Sequence, residues 1–194
     1  MQKTKVMVVT TGRADYGLLY PLIEKITENN RFELQLIATG AHLSPLHGKT
    51  IQKIEEDNLH VTDKVEMTMK SDTENAICIS IATGLIGFSQ LINTYSPDML
   101  VVLGYRYELW SICIAAVIHK IPIVHIHGGE ATFGSIDDSI RHSVTKMSAL
   151  HFASIDLYAN KLPVVNIGDR QSGRFKPINV IELYLRARGD NKGY

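Results

Sequence analysis

Short apolar runs alternate with longer amphipathic runs over the first 155 residues or so. The run KVMVVTT (Lys5–Thr11) predicts a buried strand. The stretch after it carries Leu18, Leu19, Leu22, Ile23 and Ile26 on one helical face. FELQLIATG alternates and ends at Gly40, a second strand. HGKTIQKIEEDN predicts a short helix and HVTDKVEM a third strand. Ser71 and Glu74 have capping-box spacing ahead of a long helix whose stripe is Ile77, Ile81, Leu85, Phe88 and Ile92. Tyr95-Ser-Pro stops that helix. DMLVVLG predicts strand four, ELWSICIAAVIHK a helix and PIVHIHGG strand five. A further helix spans about Asp137 to Met147, and LHFAS is a last short strand. Strands separated by helix-length crossovers predict a parallel sheet covered on both faces, a doubly wound Rossmann-like α/β domain. Its working loops are then expected at the carboxyl ends of the strands: Gly12–Gly17, Gly40–Ser44, Gly104–Glu108 and His125–Asp138.

After Ser154 the pattern changes to one strand-like run, a Gly/Arg-rich loop and a polar tail, too little for a second core. The expected division is therefore 1–155 as the Rossmann-like domain and 156–194 as an appendage.

Composition narrows the classes. The chain has 194 residues, 45% hydrophobic and 21% charged, with 20 basic against 20 acidic side chains. A net charge of zero argues against a general nucleic-acid binder but not against a local anion site. Cys78 and Cys113 both fall in apolar helical patterns and are expected to be buried, reduced thiols; neither a disulfide framework nor a zinc spacing is present. No signal peptide and no apolar run of ~20 residues are apparent, so a cytoplasmic protein without a membrane partner is expected.

Three loops carry chemistry. TTGRADYG opens a helix without matching GxGxxG or the P-loop. A helix start with Arg13 beside it suits an anion, although Asp15 capping the helix with Arg13 solvated is an equal reading. In HIHGGE, His125 and His127 lie two apart in a strand and are expected on one face. They read as core histidines, as part of a metal site, or as neighbours of Glu130 acting as general acid or base in a glycine-opened crevice. In DDSIRHSVTK, Asp138, Arg141 and His142 are spaced to share a helix face, with Ile140, Val144 and Met147 on another.

Together TTGRADYG, ATGAHLS, VVLGYRYE, HIHGGEAT, DDSIRHSVTKMSALHF and VVNIGDRQSGR resemble the hydrolysing UDP-N-acetylglucosamine 2-epimerases of sialic- and legionaminic-acid biosynthesis, over most of the chain to about Ile181. The resemblance implies the first domain of a two-domain, glycosyltransferase-B-like fold with UDP-sugar in the cleft, and a remnant of the second domain at 156–194. It implies elimination of UDP across C1 and C2 to a 2-acetamidoglycal, followed by addition of water, with no cofactor and no metal. It allows a homodimer. It carries Glu130, Asp138 and His142 over as catalytic positions. Arg13, His42, Tyr105, Arg141, Arg170, Gln171 and Gly173 carry over as substrate-binding positions.

Two departures stand out. The family has LGDRYE where this chain has LGYRYE. A phenol ordinarily titrates about six units above a carboxylate and is far larger, so Tyr105 stands at a working corner with different chemistry. The segments SIDLYANK and LPVVNIGDRQSGR meet around Tyr158 to Lys161, where the family carries roughly a hundred residues or more of second domain. The sequence therefore supports three functions: an epimerase, impaired in this form; a non-catalytic nucleotide-sugar-binding module; or an interaction module. UDP-N,N'-diacetylbacillosamine is an alternative substrate to UDP-N-acetylglucosamine.

Overall fold

A computed structural model describes residues 3–45, 48, 50–128 and 136–154. The segment expected as a second-domain remnant lies outside the described residues, as do Glu130, Arg170, Gln171 and Gly173.

Six strands form one parallel sheet: β1 (Thr4–Thr10), β2 (Phe32–Thr39), β3 (Asp63–Val65), β4 (Met99–Leu103), β5 (Ile123–Ile126) and β6 (Leu150–Phe152). Their order is β3-β2-β1-β4-β5-β6, so the winding reverses between β1 and β4. The helices are α1 (Arg13–Glu28), α2 (Ile51–Glu56), α3 (Glu74–Tyr95), α4 (Glu108–Ile118) and α5 (Ile136–Met147).

Side chains of β1 alternate between two cores, as a strand covered on both faces requires. Val6 and Val8 pack with Leu19, Leu22, Ile23 and Ile26 of α1. Met7 and Val9 pack in the other core, with Phe88, Leu91 and Ile92 of α3, the inner face of α4, and Ile140 and Val144 of α5. The helices hold their stretch of sheet between them, leaving the carboxyl ends of the strands open.

Several local expectations change. The cap of α3 is Thr73, whose hydroxyl accepts from the Ala76 amide, while Ser71 sits one step out and bonds Thr73. The deeply buried stripe of α3 begins with small residues, Ala76, Ser80 and Gly84, before Phe88. A methyl group on Gly84 would come within 2.7 Å of Met67 and 2.9 Å of the Ser111 hydroxyl. Close packing of Met67 and α4 therefore selects the small residues, and Ile77, Ile81 and Leu85 are only half-buried. That rotation leaves Cys78 exposed, against the expectation of two buried thiols; Cys113 is buried, and burial pushes its thiol up. By length and composition α3 could cross a membrane, against the expectation that no apolar run is long enough. Its Phe88, Leu91 and Ile92 are instead part of the core against the sheet.

Candidate active site

A cavity of about 800 Å³ opens at the reversal point, lined from the ends of four strands. That volume is in the range of small-ligand sites. Gly12, Arg13, Ala14 and Asp15 enter from β1–α1, Ala41 from after β2, Gly104 to Tyr107 from β4–α4 and His127 from the end of β5; Asp137 completes the wall.

The β1–α1 corner is built around Asp15. Its carboxylate accepts from the Thr11 amide (2.6 Å), the Thr11 hydroxyl (2.9 Å), the Thr10 hydroxyl (3.0 Å) and the Gly12 and Tyr16 amides (2.8 Å each). Asp15 thus caps α1, as one reading of the sequence has it, and in doing so fixes Arg13 at the first helical position beside the cavity. The two readings of TTGRADYG are compatible.

Behind this corner lies His42, fully buried. Its Nε2 and Nδ1 stand 2.9 Å from the hydroxyls of Thr10 and Thr50. Thr10 spends its proton on Asp15, so it accepts from Nε2–H, and Thr50 donates to Nδ1. This neutral form agrees with burial, which lowers the His42 pKa. His42 therefore sits one layer below the cavity wall, linking Asp15 to Thr50.

The β4–α4 corner turns at Gly104, whose φ of +87° favours glycine. His125 Nε2 donates to the Gly104 carbonyl at 2.8 Å, and Thr145 of α5 lies 3.3 Å from Nδ1. Burial drives the His125 pKa down to about 4. His125 is a core histidine that pins the β4 corner to α5. It does not share a face with His127, as the sequence had implied. The strand ends at Ile126, and His127 turns to a φ of +64° and lines the cavity.

Tyr105 lines the cavity, one-third exposed, and its ring lies 4.0 Å from the Arg141 guanidinium carbon. Arg141 is buried, at 2% exposure. The expected single face of Asp138, Arg141 and His142 is split. His142 and Asp138 pair across one turn at 3.4 Å on the outer side of α5. Arg141 falls instead beside the buried stripe of Ile140 and Val144 and reaches under Tyr105. Positions i+3 and i+4 lie about 100° apart around a helix, enough to send one inward and one out.

The sequence reading missed Glu108 and Arg106. Glu108 opens α4 fully buried; burial raises its pKa, and Arg106 at 3.5 Å opposes that rise. Its Oε1 occupies the space beside Gly40, where a Cβ would come within 2.8 Å of it and 2.9 Å of the Thr11 carbonyl. One carboxylate thus joins the corners of β1, β2 and β4 under the cavity. An acidic first residue on an otherwise apolar helix was the available signal. Among the described residues no group of three or more His, Cys, Asp or Glu side chains could hold a metal ion.

The sequence profile described as UDP-N-acetylglucosamine 2-epimerase matches residues 24–173. The chain belongs to the UDP-N-acetylglucosamine 2-epimerase family. It is 40% identical over 189 residues to the GDP/UDP-N,N'-diacetylbacillosamine 2-epimerase (hydrolyzing) of Campylobacter jejuni, covering 93% of this chain and 49% of that protein. It is 37% identical to the polysialic acid biosynthesis protein P7 of Escherichia coli, covering 88% and 43%. The fold matches the UDP-GlcNAc 2-epimerase of Neisseria meningitidis, solved bound to UDP-GlcNAc, with a TM-score of 0.71 at 19% identity, over 81% of this chain and 42% of that one. The chain spans about half the length of the family relatives it matches.

Proposed function

We propose that this chain is the amino-terminal half of the cleft of a hydrolysing UDP-sugar 2-epimerase. The observation that carries the reading is the cavity at the β1/β4 reversal, with Arg13 at its edge on the first turn of α1. A helix N-terminus and a guanidinium together suit a diphosphate. In the reaction the C2 proton is removed, UDP leaves from C1, and a 2-acetamidoglycal forms. Water then adds its hydroxyl at C1 while a proton returns to the opposite face of C2, giving the free 2-epimer. Glu130 is a proposed proton-transfer group; Asp138 and His142, which pair on the outer side of α5 and are not in the cavity lining, are proposed for that role on the family resemblance alone. Arg13 is the proposed positive charge at the diphosphate, and Arg141, buried behind Tyr105, is proposed to add its charge through the cavity wall. His42, buried beneath, is proposed to hold the Asp15 corner and Thr50. Arg170, Gln171 and Gly173 are proposed to reach the same ligand from the second-domain segment.

The identity to the Campylobacter jejuni protein favours a diacetylated amino sugar as the second reading of the substrate.

In this form the chain is proposed to turn over poorly. Tyr105 supplies no carboxylate, and general acid–base groups contribute ~10²–10⁴-fold. Positioning of the leaving UDP by an opposing domain is worth ~7 kcal/mol or more. The test is release of free UDP from UDP-N-acetylglucosamine and UDP-N,N'-diacetylbacillosamine. It compares the chain, its Tyr105→Asp variant, the chain carrying a relative's second-domain segment, and the combination. Activity is expected in the extended protein and most in the combination, with Tyr105→Asp alone inactive. A folded combination that binds UDP-sugar without releasing UDP would support a binding module instead.

A further inference from the structure

Beside the main cavity lies a second hollow of about 460 Å³, between the turn after β2 and the segment that follows β3. Leu43 and Ser44 line it from the β2 turn, and Met67, Thr68 and Met69 from the segment after β3. The two spaces adjoin: Gly40 lines the second, and the next residue, Ala41, lines the first. Tyr107 lines the main cavity, and its phenol approaches Thr68. Thr68 Oγ1 is nonetheless buried without a hydrogen-bond partner of good geometry, a state that costs about 1–3 kcal/mol until a ligand or water relieves it. Both walls are fixed in place. The Thr39 hydroxyl donates to the Val65 carbonyl at 2.6 Å, and the Met69 amide donates to Ser80 Oγ at 3.0 Å.

We infer that this hollow receives the acetamido group at C4 of a diacetylated amino sugar and sets the preference for that sugar over one with a C4 hydroxyl. The inference rests on the epimerase reading of the main cavity. C4 of a pyranose lies across the ring from C1. With C1 held at α1 through the diphosphate and C2 turned to the proton-transfer groups beyond β5, C4 is left on the β2 side, because β1 stands between β2 and β4 in the sheet. The lining suits an acetamido group. Its methyl packs on Leu43, Met67 and Met69, thioethers that adapt to an irregular shape. Its amide has one donor and one acceptor, which the Ser44 and Thr68 hydroxyls can meet. The charged lining residues are Glu66 and Lys70, one of each sign, which fits a neutral dipolar substituent better than a second phosphate or an ammonium group.

UDP, UDP-N-acetylglucosamine and UDP-N,N'-diacetylbacillosamine are titrated into the chain while amide chemical shifts are recorded. The same is done for Met69→Trp, which fills the hollow from a side chain 38% exposed, and for Thr68→Val, which removes the hydroxyl at constant shape; circular dichroism checks that both fold. All three ligands are expected to shift the β1/β4 crevice, and only the diacetylated one to shift Leu43, Ser44 and Met67 to Lys70 as well. It is expected to bind the parent chain at least tenfold more tightly than UDP-N-acetylglucosamine. Both variants are expected to lose most of that difference and to bind UDP-N-acetylglucosamine as the parent does. Crevice shifts with UDP but equal affinity for the two sugars overturn this inference and leave the epimerase reading standing. So does a preference that survives either variant, or a response of the hollow to UDP alone. No crevice shift with any of the three overturns both.

Discussion

The Tyr105 ring lies against the guanidinium of Arg141, 4.0 Å from its carbon, and forms part of the cavity wall while the arginine stays buried behind it. A cation against an aromatic face is worth about 0.5 kcal/mol when exposed and ~2 kcal/mol or more when desolvated. Tyr105→Ala should therefore lower stability by about 1–2 kcal/mol in urea denaturation, and Tyr105→Phe should keep most of it. An alanine variant as stable as the parent would mean that the stack contributes nothing.

Asp15 gathers five hydrogen bonds at the head of α1. Caps are worth about 0.5–2 kcal/mol and bonds to charged groups somewhat more than neutral ones. Asp15→Ala should cost about 2 kcal/mol and Asp15→Asn less, because the amide keeps one acceptor oxygen. Urea midpoints at constant slope read the difference, and equal losses in the two variants would contradict the assignment.

Much of this was legible in the chain itself. Strand runs such as KVMVVTT, separated by helix-length crossovers, reported the two-sided parallel sheet, and its described loops fell at the crevice where expected. The unread parts depend on contacts between distant segments. Which stripe of α3 is inward is decided by Met67 and Ser111 crowding Gly84. The burial of Glu108 is decided by the ends of β1 and β2, and the direction of His127 by one left-handed residue after β5. None of these has a periodic signature.

Buried histidines make stability depend on pH. Burial lowers the pKa of His42, His125 and His151, the second to about 4. Each folded value lies below the ordinary ~6.5 of a free imidazole, so the unfolded chain takes up protons first. Their contribution is complete above pH ~6.5 and is lost as pH falls toward the folded values. Stability should fall by a few kcal/mol, on the order set by the His125 shift, between pH 7 and 4.5. A His125→Asn variant should be less stable at pH 7 but show a shallower decline. An equal slope in both proteins would mean that His125 does not contribute to the pH dependence.

The β1/β4 crevice is the proposed seat of the UDP group. Amide chemical shifts recorded while UDP is titrated into the chain test it most directly. With one side of the cleft supplying the contacts, loss of several bonds at ~1.5 kcal/mol each should leave affinity on the order of millimolar. Saturable shifts are expected at Gly12 to Asp15, Ala41, Gly104 to Tyr107 and His127, suppressed in Arg13→Ala. Shifts confined to other surfaces, no response at millimolar UDP, or micromolar binding unaffected by Arg13→Ala would contradict it.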